Sequence, residues 1–284
     1  MIEYIKTLII SFITGLIAPV ATSSSAAFVM LEDILDFSSG KDESVLYFSI
    51  ISLVFSLVSL FFVRKIYAKG FKAVFSKQKK SKKASAYKTM MAGLLISLIP
   101  ALVMIIPVGE NKFVLDFFTD YLWKDHFLVT AFCCFAGGFI LILARWCSKQ
   151  QFQKHRNASG TDVLRFSIYQ ILSYIFPGLS HISLGAAGFI VSGVDEAVVM
   201  RDLLIYSAPS AIVINVMRII RVLLPGTLTV DVVKLVICVV SAILSSALMI
   251  NIVSKLNIRK NFMFFSIYSI CFGVFMLIAS LFIL

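Results

Sequence analysis

The sequence predicts an all-α integral membrane protein: six transmembrane helices plus two re-entrant helical hairpins in an inverted-topology repeat. Composition is the first indication. Of 284 residues, 60% are hydrophobic and only 14% charged, with a mean hydropathy of +0.96, outside the range of soluble domains. Charge-poor apolar runs at 44–63, 89–107, 127–147, 202–224, 231–253 and 262–284 are the second, each near the ~20 residues a helix needs to cross the hydrocarbon core. The third is a pair of apolar stretches broken in the same way, Pro19-Val-Ala-Thr-Ser-Ser-Ser25 and Pro177-Gly-Leu-Ser-His-Ile-Ser183. Overlaying Pro19 on Pro177 also sets Ser25 on Ser183, Phe48-Ser49 on Tyr206-Ser207 and Ser52 on Ser210. Non-helical backbone at membrane depth needs protein or trapped water to satisfy it, so paired breaks point to a shared polar site near the midplane.

Taken in order, segment 5–31 is apolar but lacks a basic start, and its hydroxyl run continues into further apolar chain. It reads as part of the fold, the first hairpin at about 1–36, and not as a cleaved signal peptide. Basic residues in short loops then orient the spans. Segment 64–88, with Arg64, Lys65, Lys69, Lys72, Lys77, Lys79, Lys80, Lys82, Lys83 and Lys88, is placed in the cytoplasm. Loops 145–165 and 254–260 are also basic, whereas 32–43 and 108–126 are acidic, and these signs alternate as six crossings require. The second hairpin, about 166–195, then begins and ends in the cytoplasm while the first begins and ends outside. Halves of about 1–150 and 151–284 follow, inverted with respect to one another.

The net charge of +11 is concentrated in 64–88. An anionic inner leaflet already accounts for a juxtamembrane polybasic loop, so no nucleic-acid partner is implied. Cys133, Cys134, Cys147, Cys238 and Cys271 lie in or at the ends of apolar runs without a CxxC spacing, and read as packing residues, neither disulfides nor metal ligands. The Asn157-Ala-Ser159 sequon is discarded because it falls on the cytoplasmic side.

In the first break Thr22, Ser23, Ser24 and Ser25 offer hydroxyls and freed backbone N–H groups to an anion, and a helix start adds positive potential. The alternative is a kinked helix whose serines bond their own carbonyls. In the second, Pro177-Gly178 breaks the chain, Ser180, His181 and Ser183 follow, and Gly185-Ala-Ala-Gly188 allows close backbone approach. An ionisable residue such as His181 beside a helix break at membrane depth is a functional candidate. Arg218 and Arg221 stand at the outer end of a span against the charge bias. Snorkelling to headgroups explains them, and contact with a phosphate at a pocket mouth is the alternative.

These residues resemble the bacitracin-resistance family of undecaprenyl-pyrophosphate phosphatases over nearly the whole chain. Gly15-Leu16 with Pro19 and Ser23-Ser24-Ser25 is similar to its first motif, and Pro177-Gly178-Leu-Ser180 to its Pro-Gly-x-Ser-Arg-Ser signature. Ile99-Pro100-Ala101, Gly137-Gly138, Ala208-Pro209 and Phe265-Ser-Ile-Tyr268 fall where the family would put them. The resemblance implies an outward-opening pocket in a bacterial plasma-membrane protein. There the terminal phosphate of a polyprenyl pyrophosphate carrier of cell-wall synthesis is removed with Mg²⁺ or Ca²⁺. It would make Ser24 or Ser25 the nucleophile and His181 the clamp or acid, with Thr22, Ser23, Gly178, Ser180 and Ser183 around the phosphate.

The family's chemical residues are largely replaced. Its two glutamates fall at Thr14 and Ala18, its histidine at Ala27, the arginine of its second signature at His181, and a later arginine at Ser269. Thr14 and Ala18 cannot form a carboxylate metal site. His181, with a reference pKa of about 6.5, is a weak substitute for a permanently charged arginine. Glu32, Asp33, Asp195 and Glu196 flank the hairpins and read as solvated. Three functions stay in view: a phosphatase, a non-hydrolytic polyprenyl-phosphate carrier, and a ligand-free scaffold whose small residues serve helix packing. Pairing with a second copy is left open.

Overall fold

The computed structural model describes residues 1–20, 22–38, 40–75, 82–109, 112–117, 126–148, 158–226, 228, 230–255 and 258–283. Among these, regular secondary structure is entirely helical. Six helices are long and apolar enough to cross a membrane: Lys41–Phe75, Ser85–Met104, Phe127–Cys147, Val198–Leu223, Val232–Lys255 and Met263–Ser280. Each overlaps one of the six apolar runs. Phe61, Leu102, Phe132, Leu244 and Phe264 are exposed on their outer faces, as lipid-facing side chains should be.

The first half comprises α1 (Ile2–Ile17), α2 (Ser24–Leu35), α3 (Lys41–Phe75), α4 (Lys82–Ile96), α5 (Ile99–Met104) and α6 (His126–Ser148). The second comprises α7 (Gly160–Ile175), α8 (His181–Val191), α9 (Glu196–Leu223), α10 (Val232–Lys255) and α11 (Ile258–Ile283). Both halves run short, short, long, then two further spans, the first of these in the N-terminal half being α4 and α5 joined at Pro100. Packing is reciprocal between them: α1 lies on α10 as α7 lies on α4 and α5, while α3 pairs with α9 and α6 with α11. At 1.5 Å per residue the 16-residue helices α1 and α7 reach about 24 Å, short of the ~30 Å core. Their partners α2 and α8 have 12 and 11 residues. Both pairs are compatible with hairpins that turn back within the bilayer.

Local chemistry sets the breaks. A capping arrangement opens α7, where the Asp162 carboxylate accepts from the Ser159 amide at 2.8 Å and its hydroxyl at 2.6 Å. It ends at Phe176, before Pro177, which has no amide to donate. Gly178 follows with φ +92°, a conformation L side chains avoid, and its α-carbon faces the Thr130 carbonyl so closely that a Cβ would collide with it. The chain restarts on Ser180, whose Oγ accepts from Ser183 N at 3.2 Å. In the first half Ser23 plays the same part for α2, accepting from Ala26 N at 3.1 Å. Ser23 is therefore the counterpart of Ser180, and the overlay of the two prolines is one residue out of register with the caps.

Close approach in the second hairpin is as expected. A Cβ on Gly188 would lie 3.1 Å from the Phe166 backbone, and Phe166 stacks on Phe189 with centroids 4.8 Å apart, at the centre of the largest apolar cluster. Three expectations need correction. The basic segment 64–88 is helical over much of its length, since α3 continues to Phe75 and α4 begins at Lys82. Cys147 and Cys271 are exposed, while the free cysteines 133, 134 and 238 are buried. Glu32 and Asp195 are buried rather than solvated, with Glu32 held by the hydroxyls of Ser38 and Ser44. Lys77, Lys79, Lys80, Glu110, Asp120, Asp125, Lys149, Lys154, Arg156 and Asn157 lie outside the described residues, as does the Glu196 side chain.

Candidate functional site

The two breaks meet. Ser25 Oγ accepts the Gly178 amide hydrogen at 3.0 Å across 153 residues of sequence and lies 3.1 Å from Ser23 Oγ. Beside this contact is a cavity of about 60 Å³. One water needs about 10–15 Å³ by the same measure, so the cavity suits a few waters or one compact tetrahedral anion. Among the described residues its polar lining is Ser24, Ser25, Ser49, Ser173, Tyr174, Ser180, His181 and Arg218. The first residues of α2 and of α8 both face it, so two helix dipoles add positive potential there.

The lining contains no carboxylate. Arg218, on the last turns of α9, presents a buried Nε without a hydrogen-bond partner among the described residues, and the buried Ser49 Oγ on α3 is equally without one. Asp116, the acid that acts on Arg218 electrostatically, stands outside the lining and is engaged by Arg221 at 3.7 Å. Arg221 also lies over the Phe113 ring at 4.2 Å. Arg221 thus reaches Asp116, and Arg218 borders the cavity. A half-buried arginine whose Nε lacks a partner and a buried hydroxyl without one, both on residues that border one cavity, call for a polar occupant.

His181 is held on two sides. Its ring lies 4.3 Å from that of Tyr174, and its Nδ1 contacts Ser173 Oγ. When the Ser173 hydroxyl donates to the Gln170 carbonyl, 2.7 Å away, its oxygen receives the Nδ1 proton. Nε2 is then the acceptor nitrogen. Beyond His181, Ser24 and Ser180 lies a second, smaller cavity of about 30 Å³, bordered also by Ala18, Ser52, Ser56, Ser207 and Asn215. Ala18, singled out in the sequence, thus borders the smaller cavity. Thr14 is buried with Oγ1 lacking a partner among the described residues, and Ala27 is buried, neither of them lining a cavity.

Of the residues singled out in the sequence, Ser24, Ser25, Ser180 and His181 line the main cavity. Ser23 and Ser183 serve the helix caps, Gly178 supplies the amide for Ser25, and Thr22 is buried away from both cavities. Glu32, Asp33 and Asp195 line neither. Sequence reasoning missed Ser173 and Tyr174, one turn before the second break, and gave phosphate contact as the second of two readings for Arg218. The signal for Arg218 was its place against the charge bias.

A divalent cation would need carboxylates at the site, and the described residues that line the two cavities supply none. No group of three or more His, Cys, Asp or Glu with metal-binding geometry occurs among the described residues. The residues present do not fit Mg²⁺ or Ca²⁺, which take oxygen ligands with carboxylates prominent among them.

Compared with known families, the chain matches the model of one described as bacitracin resistance protein BacA over residues 7–275. No individual curated protein matches it.

Proposed function

The chain belongs to the bacitracin-resistance protein family, and from that premise we propose that it binds the phosphate end of a polyprenyl phosphate or pyrophosphate carrier lipid in the cavity between its two breaks. One observation carries the reading: Arg218, whose Nε has no hydrogen-bond partner among the described residues, borders a cavity that no described carboxylate lines and onto which two helix N-termini open. Charge-assisted hydrogen bonds to a phosphate oxygen are the strong kind, and a guanidinium suits phosphate geometry. Ser24, Ser49 and Ser180 add neutral donors, and Ser25 fixes the two breaks together. The inverted arrangement of the two halves, with hairpins 1–36 and 166–195 entering from opposite faces, belongs to the same proposal and rests on the reciprocal packing and the short helix pairs.

Hydrolysis to the monophosphate is the second reading, favoured by the His181 tautomer. With Nε2 as acceptor, His181 can take the proton of Ser24 as its oxygen attacks the terminal phosphorus. The P–O bond of the anhydride breaks, the polyprenyl monophosphate leaves, and water then releases inorganic phosphate from Ser24. This route uses only the chain's own residues, since the carboxylates of a metal-assisted one are missing.

Detergent-purified protein incubated with undecaprenyl pyrophosphate separates these readings. Saturable binding without phosphate release supports headgroup binding alone. Release abolished by His181→Ala and Ser24→Ala supports hydrolysis on a rebuilt site. Absence of binding to either the pyrophosphate or the monophosphate would overturn the proposal and favour a scaffold.

A further inference from the structure

The antiparallel pair α3 and α9 carries cavities at both of its ends. The one already described lies beside Pro177, between Val45 and Ser49 of α3 and Arg218 of α9. At the other end an apolar chamber of about 260 Å³ lies beside Pro19, between Phe62 and Val63 of α3 and Met200, Arg201 and Leu204 of α9. Each cavity thus adjoins the proline break of one half, with the roles of α3 and α9 exchanged, as a two-fold relation between the halves requires. The small chamber bordered by Ser52, Ser56, Ser207 and Asn215 lies between them.

The far end differs in chemistry. Its chamber is apolar except for Arg201 and Ser254. Arg201 and Ile66 also border a larger adjoining cavity of about 660 Å³, where Lys69, Tyr87, Asp202 and Tyr206 supply the polar surface. Asp202 accepts from Arg201 at 2.8 Å, and Lys69 borders the same cavity. An apolar chamber joined through an arginine to a roomier one bordered by a lysine matches a molecule with a long hydrocarbon tail and an anionic head. The Lys69 side of the molecule is the basic one, where α3 carries Arg64, Lys65, Lys69 and Lys72.

We propose that this end of the α3/α9 pair is a second binding site for a long-chain lipid phosphate, with the phosphate at Lys69 and Arg201 and the first part of the tail in the chamber beside Pro19. The inference takes its ligand class from the proposed function above. The two sites stand on opposite sides of the fold and draw on one lipid chemistry, the arrangement expected of a protein that receives a carrier lipid on one side and presents it on the other.

Native mass spectrometry of the full chain with a polyprenyl monophosphate tests this. Wild type is expected to bind two lipids. Lys69→Ala with Arg201→Ala keeps the Arg218-dependent lipid and lowers occupancy of the other by about tenfold or more, the effect of losing charge-assisted bonds. Arg218→Ala does the converse, and Arg201→Lys in place of Arg201→Ala restores most of the occupancy, separating lost charge from lost folding. Polyprenol lacking the phosphate is expected to leave the second site empty. Filling of that site by phosphatidylglycerol as readily as by the polyprenyl phosphate upholds it and identifies bilayer phospholipid as its source. A single bound lipid removed by Arg218→Ala alone would overturn the second site and leave the proposed function standing. A single lipid removed only by the Lys69 and Arg201 changes would do the reverse, and no bound lipid would overturn both.

Discussion

Ser24 and Ser25 are adjacent, yet the structure gives them separate work. Ser25 accepts from the Gly178 amide, so Ser25→Ala leaves a backbone N–H between the two breaks unsatisfied and should destabilise the protein by about 1–3 kcal/mol. Ser24 makes no hydrogen bond among the described residues that would be lost, and Ser24→Ala should leave the thermal midpoint in detergent unchanged while weakening lipid-phosphate binding. Thermal unfolding and binding measured on both variants would separate the two roles. Gly178→Ala meets both a φ of +92° and the Thr130 carbonyl, and should lower stability by at least about 1–3 kcal/mol, visible in the same unfolding assay. Ser24, Ser25, Ser180 and His181 were legible in the sequence because a proline and a run of small polar residues in an apolar stretch announce a break. Arg218 was legible only as one of two alternatives, because the choice depends on which face of α9 turns toward α2 and α8, and that is set by tertiary packing.

At the scale of elements, the six spans were legible from hydropathy because each helix buries one side on its neighbours and shows the other to lipid, which leaves the whole run apolar. Boundaries were less so: α3 extends to Phe75, since the bilayer no longer constrains composition once the helix leaves it, and lysines are good helix formers. The short helices depend on their caps. Ser180→Ala removes the acceptor for Ser183 N and should cost about 1 kcal/mol in helix stability. Because the start of α8 also lines the cavity, lipid-phosphate affinity should fall together with the thermal midpoint. Ser23→Ala is expected to lower the midpoint similarly while affecting binding less, because Ser23 does not line the cavity. Parallel measurements on the two variants check the difference.

For the whole molecule, two halves with the same order of elements and reciprocal packing bring both breaks to one cavity. The breaks were visible as a sequence repeat, but their contact at Ser25 and Gly178 was not, since 153 residues separate the partners. The family match covers residues 7–275, and no group of three or more His, Cys, Asp or Glu that could hold a metal occurs among the described residues. Headgroup binding should therefore be insensitive to a chelator, and its charge requirement should rest on Arg218. The most direct test is equilibrium binding of a polyprenyl monophosphate to detergent-purified wild type and Arg218→Ala, each with and without chelator. The account predicts saturable wild-type binding that the chelator does not change and that Arg218→Ala weakens by about tenfold or more. Equal affinity in the variant, or binding that appears only with a divalent cation, would contradict it.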